Sequence, residues 1–388
     1  MSAELPGVAA LLEAGRAEGI APALAASVRA RGATVHASFH GEIDGRPLAP
    51  DDVFDVASLT KVLCTTGLAA QLADQGRLLL DAPAARYLPG FEEEGKAGVT
   101  IRHLLAHSSG LPAWRPYHEA VAHDPASSSA FLPPAERPPP DALRPAFSRG
   151  RERVAEAVRS EPLEVPPGAR ALYSDVGFIA LGLALEQAGG GSLAAMAEQR
   201  LFSPLGLRST FFMDGTDPTS AQSRARGRTF LPTGACPHRH EVNRGAVNDD
   251  NAWAMGGVAG HAGLFSTAEE VAGVGQSWLD ALAGRPSVIP ADAAWVFARR
   301  DRTPGSDRAL GWDTPGELSA LGDRLGHGPR GAIGHLGYTG TSLWIDLDAE
   351  LVCVLLTNHT HPSGVSRREL IRDLRRRFHD AVAEALGI

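Results

Sequence analysis

The strand-forming runs of this chain lie at its two ends. Residues Ala23–Arg31 and Thr34–His40 alternate about a turn at Arg31-Gly32, and residues 343–346 and 351–357 form a second pair through Leu347-Asp348-Ala349. A lone two-stranded hairpin is marginal in water, so strands from the two ends are expected to meet in one antiparallel sheet. Helices are expected to flank it. Residues 7–18 carry Val8, Leu11 and Leu12 on one side, and a last helix starts at Ser366, which with Glu369 makes a capping box. In that helix Leu370, Leu374, Phe378, Val382 and Leu386 recur every four residues as a packing stripe, with the arginines of the Arg367 to Arg377 cluster facing outward. The fold class is α/β (α+β): an antiparallel sheet flanked by helices, with a second, mostly helical lobe.

A chain of 388 residues exceeds the usual size of a single core, so two lobes are expected. Residues 1–61 and 266–388 form the α/β sandwich, and 62–265 the mostly helical lobe, beginning within a helix over Ser58–Gln75. Residues 113–150 stand apart by composition, with Ser127-Ser128-Ser129, Pro133-Pro134 and Pro138-Pro139-Pro140. They have too few apolar residues for a core of their own, and read as a lid over the cleft or a disordered insertion, the lid being favoured.

Net charge of −8 disfavours a nucleic-acid surface, and no apolar run approaches the ~20 residues needed to span a bilayer. Cys64, Cys236 and Cys353 are odd in number and far apart, which argues against a disulfide framework. The stretch Met1-Ser2-Ala3-Glu4-Leu5-Pro6 shows no basic region followed by an apolar one, so a cytoplasmic location is expected, which speaks against a cell-wall role.

Only two lysines occur, against 35 arginines, and one is Lys61 in Phe54-Asp55-Val56-Ala57-Ser58-Leu59-Thr60-Lys61. Arginine stays protonated, whereas a desolvated lysine can act as a base. Three residues along a helix bring the amine back over the serine hydroxyl. Ser58-x-x-Lys61 is thus a candidate nucleophile and base, although a serine before a helix more often serves only as an N-cap.

Downstream, Tyr173-Ser174-Asp175 follows a Pro166-Pro167-Gly168 turn and precedes an apolar stretch from Val176 to Gly182. Later, Gly334-His335-Leu336-Gly337-Tyr338-Thr339-Gly340-Thr341-Ser342 leads into Leu343-Trp344-Ile345. In this order the motifs resemble those of the serine β-lactamase and penicillin-binding-protein superfamily, including class C β-lactamases and esterases of the same fold: S-x-x-K, then Y-x-N, then K-T-G. The resemblance runs from about residue 5 to 360 and implies a β-lactamase/transpeptidase-like fold with its site between the lobes. Two positions depart. No lysine follows Lys96, so His335-Leu336-Gly337 stands where K-T-G is expected, and Asp175 replaces the asparagine. Both look more like the esterase and peptidase relatives than the efficient β-lactamases.

The resemblance implies roles. Ser58, at a helix N-terminus, attacks a carbonyl. Lys61, if neutral, takes the hydroxyl proton, and Tyr173 shuttles a proton to the leaving group. The oxyanion hole is the backbone N–H of Ser58 and of Tyr338. Asp175, His335 and Gly337 are assigned to substrate binding, with Gly337 leaving room for the acyl group. The remaining clusters have plainer explanations. His103-x-x-x-His107 lacks the glutamate of H-E-x-x-H and reads as structural. Cys236-Pro237-His238-Arg239-His240 could chelate a metal but, without a second cluster, reads as a surface loop; Asp249, Asp250 and Asn251 either line the cleft or cap the glycine-rich loop after them, the latter being favoured. Neither metal nor cofactor is expected. An α/β-hydrolase is excluded because no serine sits in G-x-S-x-G. The partners expected are small ester, amide or lactam substrates, with no nucleic acid and no membrane. A carboxylesterase on small esters ranks first, then a D-amino-acid peptidase, then a weak β-lactamase. A catalytically silent sensor or scaffold is the reading from another class.

Overall fold

The computed structural model describes residues 5–316, 319–362 and 367–388. At its centre is a six-stranded antiparallel sheet in the order Arg46–Pro47, Ala33–Ile43, Ala23–Ala30, Leu351–Thr357, Ser342–Asp346, Ala332–Leu336. The two ends of the chain do meet there: Ala23–Ala30 pairs with Leu351–Thr357, from Leu24 opposite Thr357 to Ala30 opposite Leu351. Leu351–Thr357 is buried along its whole length because both sheet faces are covered. On one face lie helices Pro6–Ala17 and Arg368–Leu386, which set Val8, Leu12, Leu374, Phe378 and Val382 against Leu24, Val28 and Leu355. On the other lies helix Ala268–Leu282, capped by Thr267, with Val271 and Trp278 in the central apolar cluster. That helix comes so close that a Cβ on Gly275 would stand 2.7 Å from Val352.

Three expectations need correction. The stripe on the last helix does not begin at Leu370, which is 50% exposed; Ile371 takes the buried place, one residue on, where the helix meets the sheet. Its arginines do not all face outward, since Arg375 is buried. Ser366, and with it the capping box, lies outside the described residues. The segment at 113–150 is also not a disordered insertion. It folds into helix Tyr117–His123, a 3-10 turn at Ser128–Phe131 and the start of helix Pro140–Ser160. Having few apolar residues, it invests Phe131, Leu143 and Phe147 in the central cluster rather than in a core of its own. Among the described residues no single helix is long and apolar enough to cross a membrane.

Candidate active site

Ser58 sits on a 3-10 turn, Ala57–Leu59, followed by a π-helical turn, Lys61–Thr65, and only then by α-helix Thr66–Asp74. The single helix expected over Ser58–Gln75 is therefore wound tight and then wide at its start, a form common at functional sites. The cause is local. Ala57 is held at φ +50°, in the left-handed region. Its N–H donates to Asp55 Oδ1 at 2.8 Å and its carbonyl accepts from Thr60 Oγ1 at 2.7 Å. Asp55 is fully enclosed and also accepts from the Asn248 N–H at 2.6 Å. Burial pushes its carboxyl up to about 6 despite these bonds.

Ser58 caps nothing. Lys61 Nζ donates to Ser58 Oγ at 3.0 Å, to Asp175 Oδ1 at 2.7 Å and to the His261 carbonyl at 3.1 Å. Three acceptors around one nitrogen match the three protons of an ammonium. The charge balance agrees: burial favours the neutral amine, but Asp175 and Tyr173 outweigh it and raise the Lys61 pKa. Lys61 is thus not neutral in the resting site, and Asp175, assigned to substrate binding from sequence, holds the lysine.

The Tyr173 ring lies 4.8 Å from Lys61 Nζ. Burial pushes its phenol up, against the opposing pull of Lys61 and Ser58. Two imidazoles flank this ring, His107 at 4.6 Å and His335 at 5.8 Å between centroids. His335 is buried, and that burial, with Lys61 and Arg308 nearby, drives its pKa down to about 3. It is a neutral ring whose Nδ1–H donates to the Leu336 carbonyl at 2.8 Å. His335 therefore packs against Tyr173 as an uncharged ring. His107, also held well below its usual value by burial, accepts the Ser174 N–H at 2.9 Å; His103 accepts the Thr100 N–H in a capping box.

The positive charge at this edge comes from a residue with no signal in the sequence. Arg308 lies over the Tyr173 ring at 5.2 Å and pairs with half-buried Asp313. The Asp313 backbone bonds Gly334 in both directions, which brings the arginine to the sheet edge.

The turn after strand Ala332–Leu336 is fastened to the Ser58 loop. Thr339 Oγ1 donates to the Asp55 carbonyl at 2.8 Å and Thr341 Oγ1 to the Val56 carbonyl at 3.0 Å. Gly337 is glycine for this fit: a Cβ would lie 2.6 Å from the Val56 carbonyl and 2.0 Å from Thr341 Oγ1. The room it leaves is taken by the Val56 carbonyl and Thr341, and Gly337 also lines the groove beyond Tyr338. From behind, Arg375 donates to the carbonyls of Gly337 and Thr341 at 2.8 Å and of Gly340 at 3.2 Å. His359 Nε2 donates to the Tyr338 carbonyl at 2.7 Å. The Tyr338 N–H has no acceptor among the described residues.

A second tier supports Lys61. His261, whose carbonyl accepts from Lys61, donates Nε2–H to Asp249 Oδ1 at 2.9 Å. Asp249 also caps Asp250–Ala254, as its sequence position suggested; burial raises its pKa, but His261 and the Ala252 N–H outweigh this and hold it low. The 113–150 segment starts beside the site, where the Ala113 carbonyl accepts the Asp175 N–H at 2.8 Å. Beyond Tyr338 a groove of about 810 Å³ is lined by Cys236, Asn248, Asp250 and Arg372.

This geometry can be set against known proteins. The profile of the beta-lactamase family matches residues 8–376. An N-acetylmuramyl-L-alanine amidase of Bacillus subtilis is 31% identical over 82% of this chain and 70% of its own length. A protein of Escherichia coli K12, provisionally named a D-alanyl-D-alanine carboxypeptidase, is 31% identical over 80% of this chain and 69% of its own. In structure, the hydrolase EstCE1, described as having promiscuous acyltransferase activity, superposes with a TM-score of 0.67 at 22% identity, covering 97% of each chain. At that identity the likeness shows the fold alone.

Proposed function

Because the chain belongs to the beta-lactamase family of serine hydrolases, we propose that it works through an acyl-enzyme on Ser58 and that its substrates are small amides or peptides. The observation that carries this reading is the bond from Lys61 Nζ to Ser58 Oγ at 3.0 Å, with Asp175 Oδ1 2.7 Å behind it. Lys61 acts in its neutral form, which it reaches by losing a proton to water and which carries a lone pair. It then takes the Ser58 hydroxyl proton as Oγ attacks the carbonyl carbon. The Ser58 and Tyr338 N–H groups stabilise the oxyanion, each such donor being worth about 2.7–4 kcal/mol. Tyr173 gives its proton to the departing amine and is reprotonated by Lys61, with Arg308 over the ring stabilising the transient phenolate. Water then enters through the same groups in reverse.

Two points favour amides over the esters ranked first from sequence. An amine leaves only when protonated, and Tyr173 beside a lysine ammonium can supply that proton; ester alkoxides need it less. The curated relatives near 31% identity carry amidase and carboxypeptidase names. The ester preference rested on the expected cytoplasmic location, on histidine in place of lysine at 335 and on the 113–150 segment, none of which bears on the leaving group.

The experiment compares alanine release from muramyl-L-alanyl and acyl-D-alanyl-D-alanine compounds with hydrolysis of p-nitrophenyl esters, in wild type and Ser58→Ala. Amide turnover at about 1 s⁻¹ or faster, absent in the variant, supports the proposal. Ester turnover with no amide turnover would return the carboxylesterase to first place.

A further inference from the structure

Away from the serine, the fold brings together three groups far apart in sequence. One ring nitrogen of His118, one of His238 and a carboxylate oxygen of Asp250 all lie within 4.8 Å of one another. His118 belongs to helix Tyr117–His123 in the Pro-rich segment, His238 to the loop between strands Ala235–Cys236 and Glu241–Val242, and Asp250 to the turn of helix that follows Asp249. Read from sequence, His238 and its neighbours were a surface loop, because neither other group is adjacent to it. From this geometry we infer a divalent-metal site that clips the Pro-rich segment to the loop bordering the groove beside Tyr338.

Two imidazoles and one carboxylate form the donor set that zinc accepts, with a fourth position left for water. His118 is the informative member. It is 3% exposed; its Nδ1 faces Asn251 Oδ1 at 3.3 Å and its Nε2 is buried with no hydrogen-bond partner. The rings of His118 and His238 meet edge to face at 4.6 Å, a contact that satisfies no ring nitrogen. Asn251 Oδ1 also accepts the His118 backbone N–H at 3.0 Å, so one neighbour fixes both the backbone and Nδ1 of the residue, as ligand histidines are held by their neighbours. His238 is exposed and gives the ion a way in. The anchoring of Asp250 is already built: Arg239 and the Cys236 thiol both reach Oδ1 at 3.0 Å, which leaves the other oxygen for an ion. Arg239 itself is fixed on the Val247 and Asn248 carbonyls and stacks on Trp253 at 4.9 Å.

The test titrates zinc into the full-length protein after treatment with a chelator, using calorimetry, and repeats it with cobalt, whose visible absorption reports imidazole ligands. The expected result is one ion per chain at micromolar affinity or tighter. His238→Ala, an exposed position that folding does not need, should weaken it at least tenfold, and His118→Gln should do the same. Ser58→Ala should bind like wild type. Resistance of the 113–150 segment to limited proteolysis should rise with zinc in wild type and not in His238→Ala. Absence of binding, or binding equal in wild type and both histidine variants, would overturn the site.

Discussion

Lys61 and Asp175 form an ion pair at 2.7 Å in which the lysine is fully buried and the aspartate side chain is 21% exposed. Most of the chemistry proposed for this site follows from that unequal burial. The lysine is held protonated by a carboxylate that still reaches the cleft, so Asp175 sets when Lys61 becomes a base.

Asp175→Asn is therefore expected to move the pH profile. With Asp175 present the Lys61 pKa is raised, so the neutral amine appears only at high pH. Removing the negative charge leaves only Tyr173 to oppose burial, and the acid limb of kcat/KM should shift to lower pH. An unmoved limb in Asp175→Asn would show that Lys61 is not the group being titrated.

Arg375 meets three backbone carbonyls of the turn that carries Tyr338. Among the described residues it has no carboxylate partner, and burial lowers its pKa to about 10. Arg375→Met takes a donor from all three carbonyls, of which those of Gly337 and Thr341 keep the N–H groups of Gly340 and Gly337, and lets the turn drift. Since one oxyanion donor is worth a factor of about 10²–10³ in kcat, a fall of at least tenfold is expected, with KM little changed. Steady-state kinetics beside a melting curve separates this from simple unfolding.

Ala57 is strained at φ +50° and precedes the nucleophile. A left-handed non-glycine residue costs about 1–2 kcal/mol, part of which glycine gives back as extra freedom in the unfolded chain. Ala57→Gly should thus stabilise the protein by up to about 1 kcal/mol in urea unfolding while lowering kcat, because the Ser58 turn becomes less fixed. A loss of stability would mean that the strain is absent.

Asp55 gives a signature in acid. Its carboxyl rises from the ordinary 3.8 to about 6 in the folded state, so the folded protein binds the proton more tightly than the unfolded chain. The stability this brings is complete below pH 3.8 and is lost as pH rises through 6, a change of about 3 kcal/mol at most. Melting curves of wild type and Asp55→Asn between pH 4 and 6.5 should diverge in that direction, the wild type losing ground as pH rises.

What sequence conveys and what it hides divides along physical lines. The sheet was legible because strand alternation and turn residues are local signals, and strands of the two ends were expected to share it; that Ala23–Ala30 and Leu351–Thr357 are the neighbours is given by the fold. Ser58, Lys61 and Tyr173 were legible as motifs, and the fold gathers them. Arg308 was not, because one arginine among 35 carries no mark until the backbone of Asp313 joins Gly334. The packing of His335 and Gly337 was hidden for a related reason: position in a motif does not say what a residue packs against. Gly337 proved to face the Val56 carbonyl and His335 the interior. The stripe on the last helix slipped from Leu370 to Ile371 because strict i+4 spacing drifts around a helix of 3.6 residues per turn.

The most direct measurement is intact-protein mass spectrometry of wild type and Ser58→Ala after rapid quenching with a p-nitrophenyl ester, and separately after a fluorophosphonate probe. An acyl mass on the wild type, mapped to the peptide containing Ser58 and absent from Ser58→Ala, is the predicted result. An unlabelled wild type with both reagents, or equal labelling of the two proteins, would contradict the Ser58 nucleophile and leave the assembled Ser58, Lys61 and Tyr173 as parts of a silent sensor or scaffold.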